Sequence, residues 1–322
     1  MLKICMIGAG SLGSAIGGTL ALGGQEVTFI DPYQAHMEAI AANGLRLVTA
    51  PNEEGVVARL NTATTYAGIP AQDLVIVLVK SFATRAAVRQ AKEAGVIGPN
   101  TLVMTIQNGM GNEEALQEEL GPENVIGAKT FVSGLLLEPG KVMAAVTGRK
   151  TVIGEMDGSV SVRIERLAVE LTHSGLDTKV SDNIRGMIWD KLFVNVATGA
   201  LSGITGLTYG GMYDKYGLPY VPPEIKQTAL AAIKEAMAVA KACGVKFSSE
   251  DPEAVWDSAS EGQSEAFKTS ILQSLERNIL TEIDFINGAV AREGRRVGVP
   301  TPVNDTLTAC IKGIEAKKGL VK

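Results

Sequence analysis

A short apolar run, Lys3–Ile7, is followed by Gly8-Ala9-Gly10-Ser11-Leu12-Gly13 and then by an apolar, helix-patterned stretch to about Leu22. This piece limits the fold more than any other. A strand that feeds a helix through glycines at this spacing has a specific use for each of them. Gly8 permits the tight turn, Gly10 lets the backbone approach a bound group closely, and Gly13 lets helix and strand pack together. The free N–H groups of the first helical turn, with the helix dipole, form a seat for phosphate charge. Outside this context the glycines would mark an ordinary βα turn. Within it, Gly8, Ala9, Gly10, Ser11, Leu12 and Gly13 are predicted to hold a dinucleotide.

Asp31 ends the next apolar run, Glu26–Ile30, 18 residues past Gly13. An acid at this distance bonds the ribose hydroxyls of NAD. NADP would place a phosphate of roughly −1.5 to −2 charge beside that carboxylate. No Arg or Lys follows until Arg46. The sequence therefore favours NAD(H) over NADP(H).

The first half continues as strand–helix alternation. Asp73–Lys80 is nearly all apolar between charged ends, as a strand buried on both faces is. Thr101–Ile106 is another strand and Val125–Gly127 a short one, with helical patterns at Thr84–Ala94 and Asn112–Leu120 between them. Phe131–Leu137, Lys141–Thr147 and Lys150–Ile153 read as antiparallel strands, and Ser161–His173 as an amphipathic helix. Beyond Asp182 the strand signals stop. Helices are predicted at Ile184–Ser202, Pro223–Ala242, Glu261–Gln273, Thr281–Glu293 and Pro302–Ala316. The fold class is α/β: an N-terminal, doubly wound Rossmann-type sheet in residues 1–182, then an all-helical substrate and catalytic domain in residues 183–322.

Composition narrows the function classes. The 322 residues are 46% hydrophobic and 20% charged, and the net charge of −5 comes with no basic stripe for nucleic acid. No stretch reaches the ~20 apolar residues of a membrane span. Cys5, Cys243 and Cys310 are odd in number and widely spaced, so neither a disulfide framework nor a metal site is predicted, and a reducing, cytoplasmic setting is the simpler reading. The two histidines, His36 and His173, do not sit near another candidate catalytic group in sequence, so the acid/base role is assigned to another side chain.

That side chain is sought on Ile184–Ser202. Apolar residues from Trp189 to Leu201 surround this helix, yet Lys191, Asn195, Thr198 and Ser202 form one polar stripe along it. An amine buried without a partner is costly. Lys191 either faces a cavity, carboxylate or ligand, or snorkels to the surface. In Lys268–Gly288, Glu282 stands among apolar residues and needs a partner, for which Lys191 is the obvious candidate. Asp284 reads as exposed or capping. Ser270 could present a hydroxyl to an anionic substrate.

Taken together, Gly8–Gly13, Leu78-Val79-Lys80, Gln107–Gly111, Trp189-x-Lys191-Leu192-x-x-Asn195 and Ser270 with Thr281–Gly288 resemble the ketopantoate reductases over essentially the whole chain. The resemblance implies a nicotinamide-dependent reduction of a small 2-oxo acid, ketopantoate to pantoate first, by a homodimer. It implies that Lys191 bonds the keto oxygen and supplies the proton, and that Glu282 is the second catalytic group. It further implies that Ser270 contacts the substrate carboxylate, that Asn195 contacts a substrate hydroxyl, and that Asn108 and Lys80 lie at the ribose and the cofactor–substrate boundary. Two departures stand out. The family usually prefers NADPH, with a basic residue where this chain has Asp31-Pro32. It also often carries a second asparagine one turn beyond the first, where this chain has Gly199. Thr198 or Ser202 is then the replacement donor, or the pocket suits acids lacking that hydroxyl. An NAD-dependent D-2-hydroxy-acid dehydrogenase of mandelate or branched-chain type is the alternative. A non-catalytic dinucleotide sensor is the remote one, since a sensor has no use for the lysine, asparagine, serine and glutamate together.

Overall fold

The computed structural model describes residues 1–217 and 220–321. Its strands are β1 (Lys3–Ile7), β2 (Glu26–Ile30), β3 (Leu45–Val48), β4 (Val56–Ala58), β5 (Asn61–Ala63), β6 (Leu74–Val77), β7 (Leu102–Thr105), β8 (Val125–Thr130), β9 (Ser133–Glu138), β10 (Lys141–Ala145), β11 (Thr151–Glu155) and β12 (Thr178–Val180). Its α-helices are α1 (Ser11–Leu22), α2 (Gln34–Asn43), α3 (Thr84–Glu93), α4 (Asn112–Leu120), α5 (Val162–His173), α6 (Ile184–Thr205), α7 (Tyr209–Met212), α8 (Pro223–Ala242), α9 (Pro252–Ala259), α10 (Ser270–Glu276), α11 (Asn287–Val297) and α12 (Pro302–Lys317).

Two compact units form: residues 1–107 with 112–184, and residues 108–111 with 185–322. In the first, an eight-stranded sheet runs β12-β11-β8-β7-β6-β1-β2-β5. Every neighbouring pair is parallel except β8–β11. Strand alternation explains the double winding. Ile4, Met6, Leu74, Ile76 and Met104 join one core with Ile16 and Leu20 of α1 and Leu167 and Leu171 of α5. Cys5, Ile7, Val75, Val77 and Val103 point the other way, to Val88 of α3 and Leu116 of α4. The strand order reverses between β1 and β6, where sheets of this type bind ligands beyond the carboxyl ends.

A second sheet, β4-β3-β10-β9, is a finding beyond the sequence reading. Only β9 and β10 of the expected antiparallel strands pair there, while β11 joins the large sheet. Adjacent glycines let α1 lie close to both sheets. A Cβ on Gly17 would come 2.2 Å from the Phe29 ring of β2, and one on Gly18 would come 2.7 Å from Leu47 of β3.

The second unit is helical, around Trp189, Phe193, Val196, Ile233, Ile271 and Ile311. Pro223 begins α8 at its first turn, where its missing N–H costs nothing. Two predicted helices are corrected. Glu261–Gln273 is not one helix: the chain turns there, and α10 starts at Ser270 with Thr269 as its cap. Thr281–Glu293 is broken at Ile286 (φ −108°, ψ −98°), so a 3-10 turn, Ile283–Phe285, precedes α11.

Candidate active site

The glycine turn after β1 has the geometry its spacing implies. Gly8 has φ +102°, and a Cβ there would lie 2.7 Å from the Leu78 carbonyl carbon and the Val79 nitrogen. A Cβ on Gly13 would lie 2.1 Å from the Gly8 oxygen, while one on Gly10 meets nothing within 4 Å. Gly8 and Gly13 are therefore needed by the fold, and Gly10 leaves room. Gly10 caps α1 with no side-chain bond, and the first turn carries no acid. An open, uncharged helix start fits a pyrophosphate. Ser11 Oγ accepts the Leu136 N–H at 3.0 Å, which leaves its own proton to donate. Leu12 packs its side chain on the core, so only its backbone is placed for a ligand. Asp31 Oδ2 accepts the Ala9 N–H at 2.7 Å and Oδ1 accepts the Tyr33 N–H at 2.8 Å. Each oxygen keeps acceptor capacity for ribose hydroxyls.

The loops after β6 and β7 are tied together by a polar network that the sequence reading missed. Gln107 Nε2 donates to the Val79 carbonyl at 2.5 Å, and Gln107 Oε1 accepts from Thr105 Oγ1 at 2.7 Å. Thr84 also bonds the Gln107 side chain, and Asn112 Nδ2 donates to Ser81 Oγ. Val79 is thus pinned from one side by Gln107 and packed on Gly8 from the other. This fixes the backbone next to Lys80, whose carbonyl accepts the Ala83 N–H at 2.7 Å.

In the second unit, two segments meet α6, which carries Lys191 and Asn195, both half-buried, and a third segment meets one of those two. First, Ile271 of α10 lies against Gly199 and Gly203, 3.3 Å and 2.6 Å from Cβ atoms placed there. This brings the exposed Ser270 to that stretch. Second, Asn287 Nδ2 donates to the Val196 carbonyl at 3.2 Å, anchoring the segment that follows Glu282. Third, the Met110 N–H donates to the Phe285 carbonyl at 2.8 Å, and Gly109, at φ +87°, sits against Phe285 where a side chain would clash. Asn108 is therefore held beside the same segment.

Glu282 is buried, 7% exposed, but its backbone is a loop rather than the helix its neighbours imply. The residue before it is held from far along the chain. Glu315 Oε1 of α12 accepts both the N–H and the hydroxyl of Thr281, at 2.8 Å and 2.6 Å. Asp284 is exposed and pairs with Lys312 at 2.8 Å. The lower stripe of α6 turns inward. Thr198 is buried, donates to the Val194 carbonyl at 3.0 Å and also bonds the Tyr209 phenol. Ser202 is fully buried and donates to the Leu207 carbonyl at 2.7 Å. Neither hydroxyl has a proton left for a substrate.

The family described as Ketopantoate reductase PanE/ApbA matches residues 4–158, and its C-terminal counterpart matches residues 183–315. A 2-dehydropantoate 2-reductase of Pyrococcus horikoshii is 33% identical over 99% of both chains. Among solved structures, a PanE/ApbA family ketopantoate reductase from Ralstonia eutropha JMP134 superposes with a TM-score of 0.86 at 32% identity, covering 98% of this chain and 99% of its own. A D-mandelate dehydrogenase, solved with NADH and anilino(oxo)acetate, superposes with a TM-score of 0.87 at 25% identity, covering 99% of this chain and 100% of its own. With both halves matched and a full-length relative above 30% identity, the chain belongs to the ketopantoate reductase family.

Proposed function

We propose that this protein reduces a small 2-oxo acid with a nicotinamide dinucleotide, with ketopantoate as the first candidate substrate and pantoate as the product. What supports this is that the neighbours of the candidate residues pack on or beside α6, the helix that carries Lys191 and Asn195: Ile271 against Gly199 and Gly203, Asn287 on the Val196 carbonyl, and Met110 on the Phe285 carbonyl. The nicotinamide supplies the hydride when bound. Negative charge then builds on the substrate's keto oxygen, and the Lys191 ammonium stabilises it and gives up a proton. Glu282 orients the lysine and the substrate. Ser270 binds the carboxylate, Asn195 a substrate hydroxyl, and Asn108 and Lys80 the cofactor side of the substrate. Lys191→Ala tests this: turnover should fall about 10²–10⁴-fold with cofactor affinity kept. Normal turnover in that variant would remove the lysine from the chemistry.

A second reading has its own support. The Gly199 position faces the Ile271 side chain, and the Thr198 and Ser202 hydroxyls are engaged elsewhere. A buried apolar contact at the Gly199 position, in place of a donor, suits a branched or aromatic 2-oxo acid, as in a D-2-hydroxy-acid dehydrogenase. NADH is the favoured cofactor on either reading. A 2′-phosphate would meet Asp31, and Arg46, the next cation along the chain, is engaged with the Glu54 carbonyl on the small sheet. A cytoplasmic location is supported by three free cysteines, one of them exposed. Among the described residues no helix is long and apolar enough to cross a membrane. The homodimer is carried over from the family and is tested by light scattering.

A further inference from the structure

His36 has no evident task in the sequence, yet its ring is fully buried beside the glycine turn. Its two nitrogens face different partners. The Gly140 N–H, in the turn between β9 and β10, donates to Nδ1 at 2.9 Å. A nitrogen that accepts carries no proton, so the neutral ring holds its proton on Nε2. Nε2 lies 3.0 Å from Ser14 Oγ and donates to it. Ser14 in turn donates its own proton to the Ala9 carbonyl at 2.8 Å. The direction of every bond in this chain is thus fixed by the one before it.

Ala9 is also held at its other end, where its N–H donates to Asp31. No peptide bond here is cis. A trans peptide points its C=O and the following N–H in opposite directions. With the Ala9 carbonyl drawn to Ser14, the Gly10 N–H must point away from it, and Gly10 is exposed with open space around it. Burial favours the neutral imidazole that the relay requires, while Asp31, from the end of β2, and the Ala9 backbone beside the ring pull the other way.

We propose that His36, acting through Ser14, is a positioning residue that aims the Gly10 N–H at the dinucleotide phosphates. This rests on the reading of the glycine turn as a dinucleotide site. His36 and Ser14 touch no reacting atom, so their effect belongs in cofactor affinity.

The test is fluorescence titration of the full chain with NADH, or with NADPH if that binds tighter, alongside thermal melts and steady-state kinetics. The variants are Ser14→Ala, His36→Asn and His36→Gln. Asparagine can still accept from Gly140 but does not reach Ser14; glutamine reaches Ser14 and does not titrate. For folded protein, Ser14→Ala and His36→Asn should each raise the Kd about tenfold, the size of one lost hydrogen bond to the site. The KM for cofactor should rise in parallel and kcat should fall less than twofold. The double variant should stay near tenfold, because both changes break one chain. His36→Gln should recover most of the affinity. A Kd within twofold of wild type in folded Ser14→Ala or His36→Asn overturns the proposal. So does a loss confined to kcat, or a double variant near a hundredfold. Should wild type bind neither dinucleotide, the dinucleotide reading itself falls, which the variants alone cannot cause.

Discussion

Alanine at each of the three fingerprint glycines should give a different phenotype, because the structure uses each glycine differently. Gly8→Ala places a Cβ 2.7 Å from the Leu78–Val79 peptide, at φ +102°. Left-handed backbone costs roughly 1–2 kcal/mol for a residue with a side chain, and overpacking adds about 1–3 kcal/mol. Gly13→Ala puts a Cβ 2.1 Å from the Gly8 oxygen, with backbone rather than a flexible side chain in the way. Each variant should lose about 3 kcal/mol, or ~6–12 °C of Tm at ~2–4 °C per kcal/mol for a domain of this size. Gly10→Ala is the informative contrast. Its φ is −67° and nothing lies within 4 Å of the added Cβ. The fold should lose only about 1 kcal/mol, the usual penalty for alanine at a helix N-cap. The methyl instead occupies the space left for a pyrophosphate, so the dinucleotide Kd should rise more than about tenfold, a loss of ~1.4 kcal/mol. Differential scanning fluorimetry gives the first quantity and NADH titration the second. A Gly10→Ala protein that melts near wild type and binds NADH normally would refute the assignment of the turn as the phosphate seat.

Three further outcomes follow from particular contacts. Burial lowers the pKa of His36, so the fold favours the neutral ring; its contribution to stability is complete above about pH 6.5 and is lost as pH falls through the folded value. The Tm gap between wild type and His36→Gln should therefore narrow from pH 7.5 to pH 5, and a gap that widens would contradict the buried neutral assignment. Asp31→Asn removes the proposed ribose acceptor and faces an amide toward the Ala9 or Tyr33 N–H. KM for NADH should rise about tenfold, as for loss of a charge-assisted hydrogen bond, with a smaller change for NADPH; equal changes would separate Asp31 from cofactor choice. Glu315→Ala strands the buried Thr281 N–H and releases the segment bearing Glu282. About 1–3 kcal/mol of stability should be lost, with kcat falling more than cofactor affinity, whereas unaltered kcat would mean that Glu282 is placed without help from α12.

Local pattern made much of the fold readable. Lys3–Ile7, Asn112–Leu120 and Pro223–Ala242 carry their own signals in apolar runs, acidic first turns and a proline start, and the structure has these elements at those limits. The strands that went unread are β3, β4, β5 and β12, of three or four residues each. Such pieces are too short for alternation to register, and β3 finds its parallel partner β10 only through the fold, with Arg46 opposite Lys141. The same limit applies to the candidate site. Asp31 and the glycines are spaced by local geometry. Thr281, next to Glu282, is held by Glu315, and the tautomer of His36 is set by Gly140, which lies 104 residues away. Gln107 was visible within its motif, but its hold on Val79 depends on two strands ending side by side, which spacing along one chain does not encode.

Steady-state reduction by the purified protein, crossing NADH and NADPH with ketopantoate, 2-oxoisocaproate and phenylglyoxylate, tests the central claim most directly. The account predicts turnover with at least one of these acids, faster with NADH than with NADPH. Preference for ketopantoate would make pantoate formation the activity, and preference for a branched or aromatic acid would make the protein a D-2-hydroxy-acid dehydrogenase, in keeping with the missing donor at Gly199. No turnover with any acid, from protein that binds the dinucleotide, would contradict the account.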